Sequence, residues 1–151
     1  MFQHHALRVA ITLLLAPPAF AASAEDRFAV AGIAEAEARS MFKALQDAVR
    51  SDDHEKVAEL VEYPLRIDGS PTHKFISDRS QLLSEFARVF TKQVRRQVLE
   101  ERFDDLFVNW RGVMVGSGAI WFSGICDPES PGGTCRNARV RVIAVNLNTE
   151  S

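Results

Sequence analysis

The sequence predicts an α+β domain, helices leading and a curved antiparallel sheet following. Three observations carry that prediction. Apolar residues recur at helical spacing from Ala38 to Val49, the repeat shortens from about 3.6 toward 2 beyond Glu101, and glycines at 112, 116 and 118 punctuate the later part. Helices followed by a run of strands is the layout of an α+β fold, with the helices packed on one sheet face.

Each element follows from local chemistry. Ala38, Met41, Phe42, Leu45, Ala48 and Val49 fall at i, i+3, i+4, i+7, i+10 and i+11, which is one face of an amphipathic helix over about residues 29–50. Ser51-Asp52-Asp53 stops it, and Asp52 with Glu55 is expected to cap a second, shorter helix. Val57, Leu60 and Val61 give that helix its buried stripe, and Pro64 is expected to end it. Residues 65–68 read as extended, Gly69-Ser70-Pro71 as a turn, and Lys74-Phe75-Ile76 as a second short extended piece. Asp78 caps a third helix, with Gln81 placed to return the bond and Leu82, Leu83, Phe86, Val89 and Phe90 along its apolar side. Thr91 opens a further turn or two through Val94 and Val98. Strands are expected over residues 107–111, 119–126 and 136–147, with the three glycines marking turns or bulges between the first two. In the last strand Val140, Val142 and Ala144 take one face, and Arg139, Arg141, Ile143 and Val145 the other. Neither an internal repeat nor a linker divides the chain, so residues 25–151 are expected to form one domain.

Residues 1–24 read as a secretory signal. Arg8 precedes a short apolar run over 9–16, Pro17 and Pro18 break it, and Ala19-Phe20-Ala21 and Ala22-Ser23-Ala24 both offer an A-x-A cleavage site. The apolar run falls short of the roughly 20 residues that cross a bilayer. The mature chain is therefore expected to be periplasmic or secreted, without a membrane span. In an oxidising compartment Cys126 and Cys135 are expected to pair across the turn-rich Asp127-Pro128-Glu129-Ser130-Pro131-Gly132-Gly133-Thr134, a bridge worth roughly 2–3 kcal/mol.

Composition narrows the chemistry. The 151 residues are 46% hydrophobic and 25% charged, proportions that exclude a disordered tail, a collagen-like repeat or a coiled coil. A net charge of -2 gives no electrostatic ground for nucleic acid. Two cysteines are too few for a thiolate zinc site, and neither metal nor cofactor is expected. Gly116-Ser117-Gly118 is followed by Trp121 where a dinucleotide fingerprint needs glycine. The Gly-x-Ser-x-Gly elbow of a nucleophilic serine is also missing.

The remaining candidates are few. His73, at the start of a strand beside Lys74, is a candidate general base, set against an exposed edge position. Asp104 and Asp105 precede a strand, where a carboxylate can act as base. Adjacent residues alternate faces, so at most one of them enters a pocket. His54 lies in a cap sequence and is expected to be solvated. Trp110 and Trp121 offer flat surfaces for stacking on a ligand or for packing in a core or interface. Phe107, Asn109 and Arg111 share one face of the expected strand, so that Asn109 and Arg111 can hold a carboxylate or polar group. Tyr63, the only tyrosine, stands beside Pro64 at a helix-to-strand corner as a plug with a bonded hydroxyl, and is counted with the ligand-binding candidates. Lys92, Arg95, Arg96 and Arg102 are interleaved with acids and read as a mixed solvated face.

The order of long helix, short helix, the Glu62-Tyr63-Pro64-Leu65 step into a strand, third helix and glycine-punctuated meander resembles the nuclear-transport-factor-2-like (SnoaL-like) superfamily. The stretch Asp105-Leu106-Phe107-Val108-Asn109-Trp110-Arg111-Gly112-Val113-Met114-Val115-Gly116-Ser117-Gly118-Ala119-Ile120-Trp121-Phe122 is similar to uncharacterised exported bacterial members. The resemblance implies a cone, with the first helix across a strongly bent antiparallel sheet and a pocket between them, and pairing of two copies through the outer sheet face. It implies no particular activity. The expectation is a non-catalytic binding or protein-interaction module, homodimeric, engaging a small apolar-polar ligand or a protein. The alternatives are a small cofactor-free isomerase, dehydratase or cyclase working by acid-base chemistry, and an immunity protein neutralising a periplasmic toxin.

Overall fold

The computed structural model describes residues 26–69, 74–126 and 138–149. A short 3-10 turn, Ala29–Ala31, leads into helix α1, Glu35–Arg50, whose buried face is Ala38, Met41, Phe42, Leu45, Ala48 and Val49, the six positions the spacing predicts. Ala34 before it has no side-chain acceptor, so the first turn is satisfied by others. The Asp26 carboxylate accepts from the Glu35 N–H at 2.8 Å, and Glu37 reaches back to the Ala34 N–H at 2.9 Å.

Helix α2, His54–Glu59, is capped by Asp53, whose carboxylate accepts from the Lys56 N–H, and not by Asp52. Asp52 instead takes the left-handed conformation that ends α1, at φ 56°. Strand β1, Val61–Asp68, then runs straight through Pro64, which the sequence reading had made the end of the helix. Pro64 lacks an N–H for the ladder, and the pairing register with the neighbouring strand shifts across it, between Val61 and Arg66.

Strand β2, Lys74–Ile76, pairs antiparallel with β1. The expected third helix is two pieces, and the turn or two expected after Thr91 is a helix of nine residues. Helix α3, Arg79–Ser84, is capped by Asp78; α4, Phe86–Val89, is one turn; α5, Lys92–Glu100, is capped by the Thr91 hydroxyl. Gln81 does return a bond, but to the Ser77 N–H, one residue before the cap. A 3-10 turn, Phe103–Asp105, leads to the meander: β3 Phe107–Asn109, β4 Gly112–Val115, β5 Ile120–Ile125 and β6 Arg139–Asn146. Strand β4 occupies part of the segment the sequence reading had given to turns.

The six strands form one sheet in the order β2-β1-β6-β5-β4-β3. Neighbours are antiparallel except β1 and β6, which are parallel, so the sheet is mixed and not antiparallel throughout. The direction follows from parity: β2 runs opposite to β1, helices α3 to α5 carry the chain back to the end where β2 began so that β3 runs as β2 does, and three reversals leave β6 pointing as β1 does.

All helices contribute to one core on one sheet face. Leu45, Val57, Leu82, Phe90, Val94 and Val98 are buried there with Leu65, Val113, Ile120, Phe122, Val142 and Val145 of the sheet. Registered rows explain it: Val61, Val142, Phe122 and Val113 sit side by side across four strands. A register shift in β5 against β6, at Trp121/Phe122, inserts Ile143 as an extra residue. Beyond that bulge the alternation of β6 inverts, so Val145 turns into the core, although the sequence pattern had set it opposite Val142.

Both ends of the described chain are tied in by side chains. The Arg27 guanidinium donates to the carbonyls of Phe103, Asp104 and Leu106, and Phe103 stacks on Phe28 at 5.2 Å between ring centres. At the other end the buried Thr149 hydroxyl donates to Gln97 Oε1 at 2.7 Å, and Gln93 donates to the Thr149 carbonyl. Buried amides need partners, and Gln97 has this one.

Candidate functional site

The sheet face that the helices leave open carries the site. Along β1, Leu65 and Ile67 are buried in the core, so Arg66 between them points the other way. Along β5 the same alternation of buried Ile120 and Phe122 turns Trp121 outward. Strand pairing then aligns one row across all six strands: Phe75, Arg66, Ala144, Trp121, Met114 and Phe107 are successive partners. Ala144 in the middle is only 1% exposed, yet it belongs to this face and not to the helix-covered core. In the row it sits between Arg66 and Trp121.

The wall comes from the link between β3 and β4. The sequence reading ran a strand through Arg111, but Asn109 pairs with Gly112, and Trp110 and Arg111 form the two-residue connection. Asn109 and Arg111 therefore do not share a strand face. Instead Asn109 Oδ1 accepts from the Arg111 N–H at 2.8 Å and shapes the turn. Gly112 completes it at φ 139°, where an added Cβ would lie 2.5 Å from the Phe122 carbonyl oxygen, so only glycine lets the two strands close here. The result lifts Trp110 to 73% exposure, with the Arg111 guanidinium 4.9 Å from its ring centre.

Arg66, Trp110, Arg111, Trp121 and Ile143 together line a groove of about 610 Å³. Three of the five, Trp110, Arg111 and Trp121, were singled out from sequence. Arg66 and Ile143 were missed. The Leu65-Arg66-Ile67 alternation held the signal for Arg66, whereas Ile143 owes its place to the bulge. Arg66 donates through Nε to Asp68 at 3.0 Å, which fixes one edge of its guanidinium, and its side chain remains 51% exposed. Among the described residues no ion pair engages Arg111.

The other candidates stand elsewhere. Tyr63 is half-buried, and its hydroxyl donates to the Ala58 carbonyl at 3.0 Å, a structural plug away from the groove. Burial raises its pKa above the ordinary 10.0, with Arg79 opposing and Asp78 adding to the rise. Asp104 and Asp105 lie exposed on the 3-10 turn before β3, Asp105 within 3.6 Å of Arg102. His73 lies outside the described residues. His54 is not simply solvated: its ring stacks on Phe86 at 3.7 Å, with Nε2 3.2 Å from Asp52. Cys126 follows β5 directly, and no cysteine among the described residues is free, while Cys135 lies outside them.

Two shallower grooves flank α1. One, between α1 and β6, is lined by small residues such as Ala36, Ser40 and Ala44. The other, between the ends of α1 and α5, collects Arg50, Lys92, Arg95 and Arg96 around Asp52 and Glu100, and Arg95 is ion-paired to Asp52. That is the mixed charged face expected there. Among the described residues, no group of three or more His, Cys, Asp or Glu side chains is placed to hold a metal ion, and no helix is long and apolar enough to cross a membrane. Comparison with protein-family profiles, with curated proteins and with solved structures finds no match to this chain.

Proposed function

We propose that the protein is an exported, non-catalytic binding module of the nuclear-transport-factor-2-like kind, working through the open face of its sheet. One observation carries this reading: two tryptophans, two arginines and an isoleucine converge on a groove on the face the helices do not cover. Binding sites are concave, apolar-walled and furnished with a few fixed polar groups, and about 300–1,000 Å³ is their usual size. The order of helices, hairpin, helices and meander supports the family reading. The register shifts at β1/β6 and β5/β6 support a bent, cone-like sheet, because bulges bend the strands that carry them. A cleaved signal over residues 1–24, a periplasmic or secreted location and a Cys126–Cys135 bridge after β5 belong to the same reading. Against an acid-base enzyme, Asp104 and Asp105 sit on an exposed turn away from the groove.

The reading is tested on the mature chain, residues 25–151, with the apolar dye bis-ANS. Trp110→Ala is expected to leave the melting temperature within the effect of about 0.5 kcal/mol usual for surface changes, and to weaken dye binding about ten-fold. Unchanged dye binding, or an unfolded variant, would give Trp110 a different role and overturn the reading.

Phe75 and Phe107, 56% and 52% exposed at opposite edges of the same row, favour a second use of this face, the pairing of two copies. On that second reading sedimentation equilibrium gives a dimer in the wild type and a monomer in Phe107→Asp, whereas a face kept for a ligand gives a monomer in both.

A further inference from the structure

We infer that the open-face groove selects a small organic acid with a flat apolar body, its carboxylate held between Arg66 and Arg111 and its body against Trp121 and Trp110. This inference rests on the binding reading above and adds the chemistry of the ligand.

Charge decides the anion. Two guanidinium groups line the groove, and among the described residues the carboxylate in contact with them is Asp68, which accepts from the Nε edge of Arg66. Among the described residues nothing pairs with the Nη edge of that guanidinium or with the fork of Arg111, and a planar fork matches a carboxylate with two parallel hydrogen bonds. The Asp68 contact also holds Arg66 in place before a ligand arrives, which lowers the ordering cost of binding.

Shape decides the body. The groove is walled by two indoles and by Ile143. Indole faces pair with flat rings in offset or edge-on contact. A flexible hydrophilic acid would leave this apolar wall unused, and a bare inorganic anion would meet only the two arginines.

The chain supplies its own reporter. It has two tryptophans, both in the groove, so a nitrogen-15 correlation spectrum of the mature protein contains two indole N–H signals from this site. The probes are 2-naphthoate, its uncharged isostere 2-naphthamide, and acetate. Saturable movement of both indole signals is expected with naphthoate, at an affinity about ten-fold or more above that of naphthamide, with acetate producing little. Arg66→Met and Arg111→Met are each expected to weaken naphthoate about ten-fold while leaving naphthamide unchanged. Both substituted side chains are largely exposed, and dispersed backbone signals confirm the fold in the same spectrum.

Equal affinity for naphthoate and naphthamide would overturn the acid-selective proposal while leaving a binding groove. Silence of both indole signals toward every probe at millimolar concentration would overturn the groove itself. Indole signals that move with protein concentration alone, and lose that dependence in Phe107→Asp, would assign the face to a second copy and overturn the small-molecule proposal.

Discussion

At the scale of single residues, the groove depends on a glycine that does not touch it. Gly112 holds φ 139° against the Phe122 carbonyl, and Gly112→Ala is expected to cost about 1–3 kcal/mol through backbone strain and collision, read as a lower urea midpoint. The same change displaces the Trp110–Arg111 turn, so the indole signal of Trp110 is expected to shift even where the protein stays folded. Tyr63 provides a second residue-scale test. Burial favours its neutral phenol, so its folded pKa lies above the unfolded 10.0. The unfolded chain releases the proton first, and the stability that Tyr63 contributes below about pH 10 is lost as the pH rises through the folded value. Tyr63→Phe is expected to cost about 1 kcal/mol at pH 8 through the lost bond to Ala58, with the gap between the urea midpoints narrowing by pH 11. At this scale the sequence was a good guide to residue types and a poorer one to placement. Trp110, Arg111 and Trp121 were visible from their chemistry, flat indoles and a planar guanidinium. Arg66 needed the knowledge that its neighbours Leu65 and Ile67 are both buried in the same core.

At the scale of elements, local chemistry was legible wherever a periodic apolar stripe or a cap decides the outcome. The α1 stripe was read without error because all six of its apolar positions fall on one face. Asp78 was likewise placed correctly, and Asp78→Ala is expected to cost about 0.5–2 kcal/mol, measured as a drop in urea midpoint. Asp53→Ala is expected to match it, while Asp52→Ala loses an ion pair with Arg95 and puts alanine at φ 56°. The sequence reading had chosen Asp52, because adjacent aspartates offer the same acceptor and backbone conformation alone separates them. Strand β4 was lost for a comparable reason: the three residues between Gly112 and Gly116 carry too short an alternation to outweigh the turn signal. The inverted face of Val145 follows from the β5/β6 bulge, which leaves no mark in a two-residue period.

At the scale of the whole molecule, the core lies between the helices and one face of the sheet, and Phe122 sits at its centre with 0% exposure. Phe122→Ala is expected to cost about 3–5 kcal/mol, enough to leave a domain of this size marginal by thermal melting. The α+β class was legible because class depends on the order of elements along the chain. Which strands become neighbours depends on pairings between residues far apart in sequence, and the parallel contact of β1 with β6 was not foreseen for that reason.

That contact sets a timetable for biogenesis. Of the described strands β6 is made last, yet it stands inside the sheet, with β1 on one side and β5 on the other. Until its residues emerge, β1 with its short hairpin partner has nothing to join it to the meander, and the hydrophobic faces of both pieces lack a common lid. Until β6 is made the sheet cannot close, so the apolar surface of the earlier strands stays open during synthesis and folding waits on that strand.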